Sequence, residues 1–173
     1  MNREVIPLRE RKIDWPILFF FWLNILFITY MIDIEQLVIK DPSNFDYPIW
    51  PPRFIIDAVH WWGNTFDPVL MERPVWWQMT IWIDQLFFGP FYIFAIYAYT
   101  KGKDWIRIPS IIWASVMLTN VTIILGEEIM GSHPTHALGT VLFANASWVL
   151  FPIYVLWRMY KPEYPFTREW SGA

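Results

Sequence analysis

Cysteine is absent from the chain. Disulfides, thiol nucleophiles and cysteine-ligated metals are therefore excluded, and the redox compartment is left open. Charge is sparse: 17% of the 173 residues are Asp, Glu, Lys or Arg, and the net charge is −3. That balance offers no basic footprint, which argues against nucleic acid as a partner. Internal repeats and low-complexity tracts are missing. No small-residue cleavage site follows the first apolar run, so that run reads as a retained span rather than a cleavable signal. What is plentiful is apolar and aromatic surface, at 55% and 20% of residues, with thirteen tryptophans and fourteen prolines. This is the profile of a membrane protein of one compact domain.

The most informative stretch begins at Val75. Its first twenty-five residues are apolar or aromatic apart from a few neutral polar groups and one acid, Asp84, and Lys101, Lys103 and Arg107 follow. About 20 residues suffice to cross a bilayer as a helix. Three further runs have the same character, giving spans at about 15–33, 75–99, 108–126 and 137–157. The sequence thus predicts an all-α fold: an integral membrane four-helix bundle, with a membrane domain over 15–159 flanked by segments 1–14 and 160–173. Between the first and second spans lies a connection holding Pro42, Pro48, Pro51, Pro52, Pro68 and Pro74, too many for one helix. Within it, Arg53 to Asn64 has helical spacing. Phe54, Ile55, Ala58, Trp61 and Trp62 lie near one face, as in an amphipathic helix at the membrane interface that caps something beneath it.

Basic residues cluster before Trp15, between Lys101 and Arg107, and after Trp157. The 127–136 turn has none, and the long connection sets Lys40, Arg53 and Arg73 against a larger set of acids. By the positive-inside rule, both termini and the 101–107 loop face the cytoplasm. The membrane would be the endoplasmic reticulum in a eukaryote or the inner membrane in a bacterium.

With that topology, Asp84 lies roughly 13 Å below the outer surface, from nine residues at ~1.5 Å each. Asp33, Asp67 and the Glu127–Glu128 pair belong to the same outer half. A carboxylate inside a span costs about 2.5–3.5 kcal/mol and defaults to a functional reading. The bland alternative for Asp84 is a helix-to-helix hydrogen bond to Asn120 or Asn145. For Asp33, Asp67, Glu127 and Glu128 it is ordinary solvation at span ends. Trp76, Trp77, Trp82 and Trp105 read as interfacial anchors. Trp148 differs, because it lies mid-span, needs an indole partner and could hold a cation on its face. His133 and His136 resemble a metal pair only loosely, because Pro134 breaks their helical face. No motif calls for a metal or a cofactor.

One further pattern extends beyond these single residues. The run D-Q-L-F-F-G-P-F-Y-I-F-A-I-Y-A-Y-T-K-G-K-D-W-I-R-I-P-S-I-I, from Asp84, resembles the EXPERA family, and within it the sigma-2 receptor branch. I-T-Y-M-I-D ending at Asp33 and F-D-P at Phe66–Pro68 match that branch. N-A-S-W-V-L-F-P (Asn145–Pro152) looks more like the emopamil-binding protein, the sterol isomerase of the same family. The resemblance implies a buried site for sterols or cationic amphiphiles lined by Asp33 and Asp84, with Trp148 stacked on a cation, and it implies homodimers. Asp84 stands where the sigma-2 branch has glutamate. Thr29 stands where the isomerase has histidine, and a hydroxyl is a poor proton shuttle at neutral pH.

Three functions follow as expectations. The first is intramembrane binding of a sterol-like or other hydrophobic, cationic amphipathic ligand, with Asp33, Asp67, Asp84, Thr29, Asn120, Asn145 and Trp148 as the binding set. The second is a double-bond isomerase of a sterol or terpenoid lipid, with Asp33 and Asp84 as catalytic acid and base. The third is an accessory subunit of a larger membrane complex. Expected partners are the hydrophobic ligand and membrane lipids, with a homodimer or a larger assembly.

Overall fold

The computed structural model describes residues 3–161 and 163–170. Residues 1, 2, 162 and 171–173, which belong to the two expected terminal segments, lie outside the described residues.

Among the described residues, four helices are long and apolar enough to cross a bilayer: Lys12–Val38, Val75–Lys101, Asp104–Met130 and Leu138–Tyr160. Each exceeds the apolar run that foretold it, and in the first, third and fourth helices polar residues near the ends find partners in the fold. The third helix shows this best. It continues through Gly126, Glu127 and Glu128 rather than ending there. The Glu127 carboxylate turns back to accept the His133 backbone N–H and meets its ring Nδ1, each at 2.9 Å, closing the helix end. Glu128 turns inward and is buried. Ser115, Thr119 and Thr122 face outward, and each hydroxyl donates to the carbonyl four residues back, so none is left bare toward lipid.

An aromatic core fills the half of the bundle nearer the two chain ends. Trp113 is fully buried, stacked on Phe91 at 5.2 Å and edge-on to Phe21 at 5.2 Å. Such pairs contribute about 0.5–1.5 kcal/mol beyond burial. Below them, Asp14 joins Arg11 at 2.5 Å and Arg158 at 2.7 Å, and Arg11 also donates to the Tyr99 carbonyl. This cluster ties the first, second and fourth helices together at one end. Arg3–Val5 and Thr167–Glu169 then pair as a small antiparallel sheet. That sheet is the one departure from an all-α chain among the described residues.

The proline-rich connection folds as two helices, Arg53–Phe66 and Pro68–Glu72. The buried face of the longer one is Ile55, Ile56, Val59 and Gly63. Of the expected face, Ile55 is buried, Ala58, Trp61 and Trp62 border the cavity described below, and Phe54 is exposed. Close contact selects the small residue, since a Cβ on Gly63 would stand 2.6 Å from Met71 Sδ. The connection is locked down by a buried ion pair. Arg73 Nη2 donates to Glu35 at 2.9 and 3.0 Å and Nη1 donates to the Ile39 carbonyl, while His60 Nε2 reaches Glu35 Oε1 at 2.8 Å. Trp77, expected as an interfacial anchor, is buried instead, its indole donating to Gln36 at 2.5 Å.

Candidate ligand cavity

Two π-helical stretches build the site. Asn24–Asp33 interrupts the first spanning helix, and Asp84–Phe88 interrupts the second. A π turn adds a residue to the helix and redirects the side chains that follow, which is why such turns gather at functional sites. The two stretches are stitched together: Gln85 Nε2 donates to the Thr29 carbonyl at 2.5 Å, and the Tyr30 hydroxyl donates to the Gln85 carbonyl at 3.2 Å. Gly89 permits this approach, because a Cβ there would collide with the Tyr30 hydroxyl and meet Thr29 Cγ2 at 3.2 Å. The result sets the Asp33 and Asp84 carboxyls beside one another, with Thr29 against Asp84.

Above this pair lies a cavity of about 480 Å³, walled by all four spanning helices and roofed by the connection. That volume falls within the ordinary range for a small-molecule site, about 300–1,000 Å³. Its apolar walls come from residues such as Ile55, Leu70, Ile81, Met117, Val121 and Ile124. Asp33, Asp67, Asp84, Asn120, Asn145 and Trp148, taken from the sequence, all line it. Thr29 does not; it is fully buried behind Asp84, and its hydroxyl has no hydrogen-bond partner.

The hydrogen bonds inside the cavity separate the candidates. Asn120 donates to the Thr80 carbonyl at 3.4 Å and Asn145 to the Val141 carbonyl at 2.9 Å, so neither amide is spent on Asp84. Asp84 is 6% exposed, and its Oδ2 is unpartnered. The Trp148 indole donates to Asn24 Oδ1 at 3.1 Å, which fixes its ring at the cavity wall. Asp67 begins the short helix Pro68–Glu72 and accepts the Leu70 N–H at 3.2 Å through its carbonyl, while its Oδ1 is unpartnered. Burial pushes the Asp67 carboxyl above its ordinary range, and hydrogen bonds offset only part of that rise.

Several functional positions escaped the sequence reading. Asn24 and Gln85 orient Trp148 and the Thr29 backbone, and both are buried amides in apolar runs, the pattern that marks them. Glu128 was expected to be solvated, yet it is 1% exposed and faces Asp67. The available signal was its place eight residues after Asn120, within one helical stripe. His60 and Arg73 act on Glu35 and steady the roof instead of lining the cavity.

Chemically, the arrangement offers a half-open, largely apolar cavity with carboxyl oxygens and the Trp148 face on its wall. Such a site stabilises an ammonium group or a delocalised cation attached to an apolar body. The chain matches the family model EXPERA (EXPanded EBP superfamily) over residues 54–159. It is 26% identical over 166 residues to Sigma intracellular receptor 2 of Xenopus tropicalis, covering 89% of this chain and 92% of the relative. The proteins of the same name from Macaca fascicularis and Homo sapiens are 26% identical over 173 and 172 residues. Those alignments cover 92% and 91% of this chain and 93% of each relative.

Proposed function

The chain belongs to the EXPERA family and is a multi-pass membrane protein, and on that premise we propose that it binds a sterol-like or other amphipathic ligand, with a cationic group, inside the bilayer. The apolar body lies against the walls contributed by Ile81, Val121 and Ile124. The cationic group sits between Asp33 and Asp84, with the Trp148 ring on its flank. One observation supports this reading above the rest. Asp84 bears an unpartnered carboxyl oxygen that is nearly withdrawn from water at the cavity wall. A buried, unpaired acid is destabilising, so a fold that keeps one gains when a ligand supplies the missing partner.

The test is equilibrium binding of a labelled cationic sterol analogue to purified protein in nanodiscs. A hydrogen bond to a charged group contributes about 1.5–3 kcal/mol, so Asp84→Asn should weaken binding by roughly tenfold or more. The melting temperature should stay level or rise, because the buried charge is gone. Unchanged affinity in Asp84→Asn and Asp33→Asn would defeat the proposal.

Double-bond isomerisation is a second reading, favoured by the adjacency of two carboxyls able to pass a proton. Against it stands Thr29, a hydroxyl where imidazole would serve. Incubation with sterol and terpenoid lipids in deuterated water decides this reading. Its prediction is deuterium carried into a product with a shifted double bond.

A further inference from the structure

The proposed binding mode leaves unused one carboxyl that lines the cavity, that of Asp67. Glu128, from the outer end of the third spanning helix, stands behind it and outside the lining: Thr135 joins the two segments, its N–H donating to the Glu128 carbonyl at 3.1 Å and its hydroxyl to the Phe66 carbonyl at 2.5 Å. Asp67 and Glu128 are more than nine-tenths buried. Asp67 Oδ1 and both Glu128 carboxyl oxygens have no hydrogen-bond partner, and Asp67 lines the cavity. Among the described residues, no Lys, Arg or His pairs with Asp33, Asp67, Asp84 or Glu128. Arg73, in the same connection, is committed to Glu35 and to the carbonyls of Leu70 and Ile39.

The two sets of acids stand at different depths. Asn120 reaches the Thr80 carbonyl, one helical turn before Asp84, and so marks the level of the inner set. Glu128 lies eight residues further along the same helix, a rise of about 12 Å at ~1.5 Å per residue. The wall between them is largely apolar and includes Val121 and Ile124. Asp84 and Asp67, which line the cavity, each keep a carboxyl oxygen without a partner, so a cation that meets either one supplies a missing partner. A ligand with one cation meets the acids at one end of the cavity and leaves Asp67 without a partner at the other.

We infer that the cavity is ditopic: its preferred ligand class is a dicationic amphiphile, with one ammonium at Asp33/Asp84, a second at Asp67 with Glu128 behind it, and an apolar spacer of roughly 10 Å between them. This inference rests on the intramembrane-binding reading and specifies its ligand.

The experiment compares decylamine with 1,10-diaminodecane by isothermal titration against the full chain in nanodiscs. The diamine should bind at least about tenfold tighter than the monoamine. Glu128→Gln should bring the diamine to the monoamine's level while leaving decylamine affinity unchanged, and Asp67→Asn should erase the same advantage. Asp84→Asn should weaken both amines. A diamine no tighter than decylamine, or an advantage that survives both Asp67→Asn and Glu128→Gln, overturns the ditopic assignment and leaves the simpler binding mode standing. If neither amine binds the unaltered protein, the intramembrane-binding reading fails, and this inference fails with it.

Discussion

Asp84 and Gly89, five residues apart on one helix, show how single positions set the site. Asp84 is legible in the sequence because one acid stands among twenty-five apolar or neutral residues. Its cost of about 2.5–3.5 kcal/mol asks for a reason. Gly89 gives no such signal, since a glycine before proline could as well mark a kink. Its role appears only where the first and second helices touch. A Cβ at Gly89 would press on the Tyr30 hydroxyl and on Thr29 Cγ2. Gly89→Ala should therefore destabilise the protein by about 1–3 kcal/mol through overpacking. Adding Tyr30→Phe should recover part of that loss, because the hydroxyl holds the nearest atom. Thermal unfolding in detergent reads both values, and a Gly89→Ala midpoint equal to the parent's would refute the account. Asn24 and Gln85 were hidden for a related reason. An amide in an apolar run announces burial, but the partner it will meet lies on another helix.

At the scale of elements, the connection between the first two spans changes most between expectation and structure. Its helix is present near the expected bounds; Ile55, Ile56, Val59 and Gly63 are its fully buried residues, and the tryptophan side borders the cavity. Periodicity locates a stripe, but contact with Leu70 and Met71 decides which edge of the stripe goes inward. The element is held by the Glu35–Arg73 pair, with both side chains almost fully withdrawn from solvent. Breaking a buried pair from one side costs about 3–5 kcal/mol, whereas replacing both partners is far milder. Arg73→Met should thus lower stability by that amount and open the 39–52 stretch to protease. The double variant Glu35→Leu/Arg73→Met should recover most of the loss. Equal damage in the single and double variants would show that packing, not the uncompensated charge, governs the roof. The third spanning helix makes the complementary point: the acids at 127–128 looked like an end, and local capping by His133 let the helix run on to Met130.

For the whole molecule, the charge pattern assigns both termini and the 101–107 loop to the cytoplasm, and the helix order is compatible with that assignment. We propose this orientation for the folded protein. Because native cysteine is absent, a single introduced thiol reports its side without background. Ser132→Cys should react with a membrane-impermeant maleimide from the outer side, and Lys103→Cys and Lys161→Cys from the cytoplasmic side. Labelling of Ser132→Cys and Lys103→Cys from the same side would refute four alternating spans. The terminal sheet pairing Arg3–Val5 with Thr167–Glu169 also belongs to this scale, joining residues more than 160 positions apart. No local pattern announces it, because three-residue strands exist only once each has found the other.

The sequence by itself determined what depends on composition and local period. Four helical spans, an interrupted connection, an inside–outside charge bias and a mid-membrane acid all follow from hydropathy and spacing, because the bilayer core accepts few backbone solutions. Tertiary structure alone decided which polar groups meet. It brought Asp33 beside Asp84 across two π-helical stretches, turned Glu128 onto Asp67, and gave Arg73 to Glu35 rather than to the cavity. Those pairings depend on helix rotation and close approach, which small residues such as Gly63 and Gly89 permit. The four spans are therefore written in the chain's periodicity, and the unpaired carboxyls of the cavity are a product of its packing.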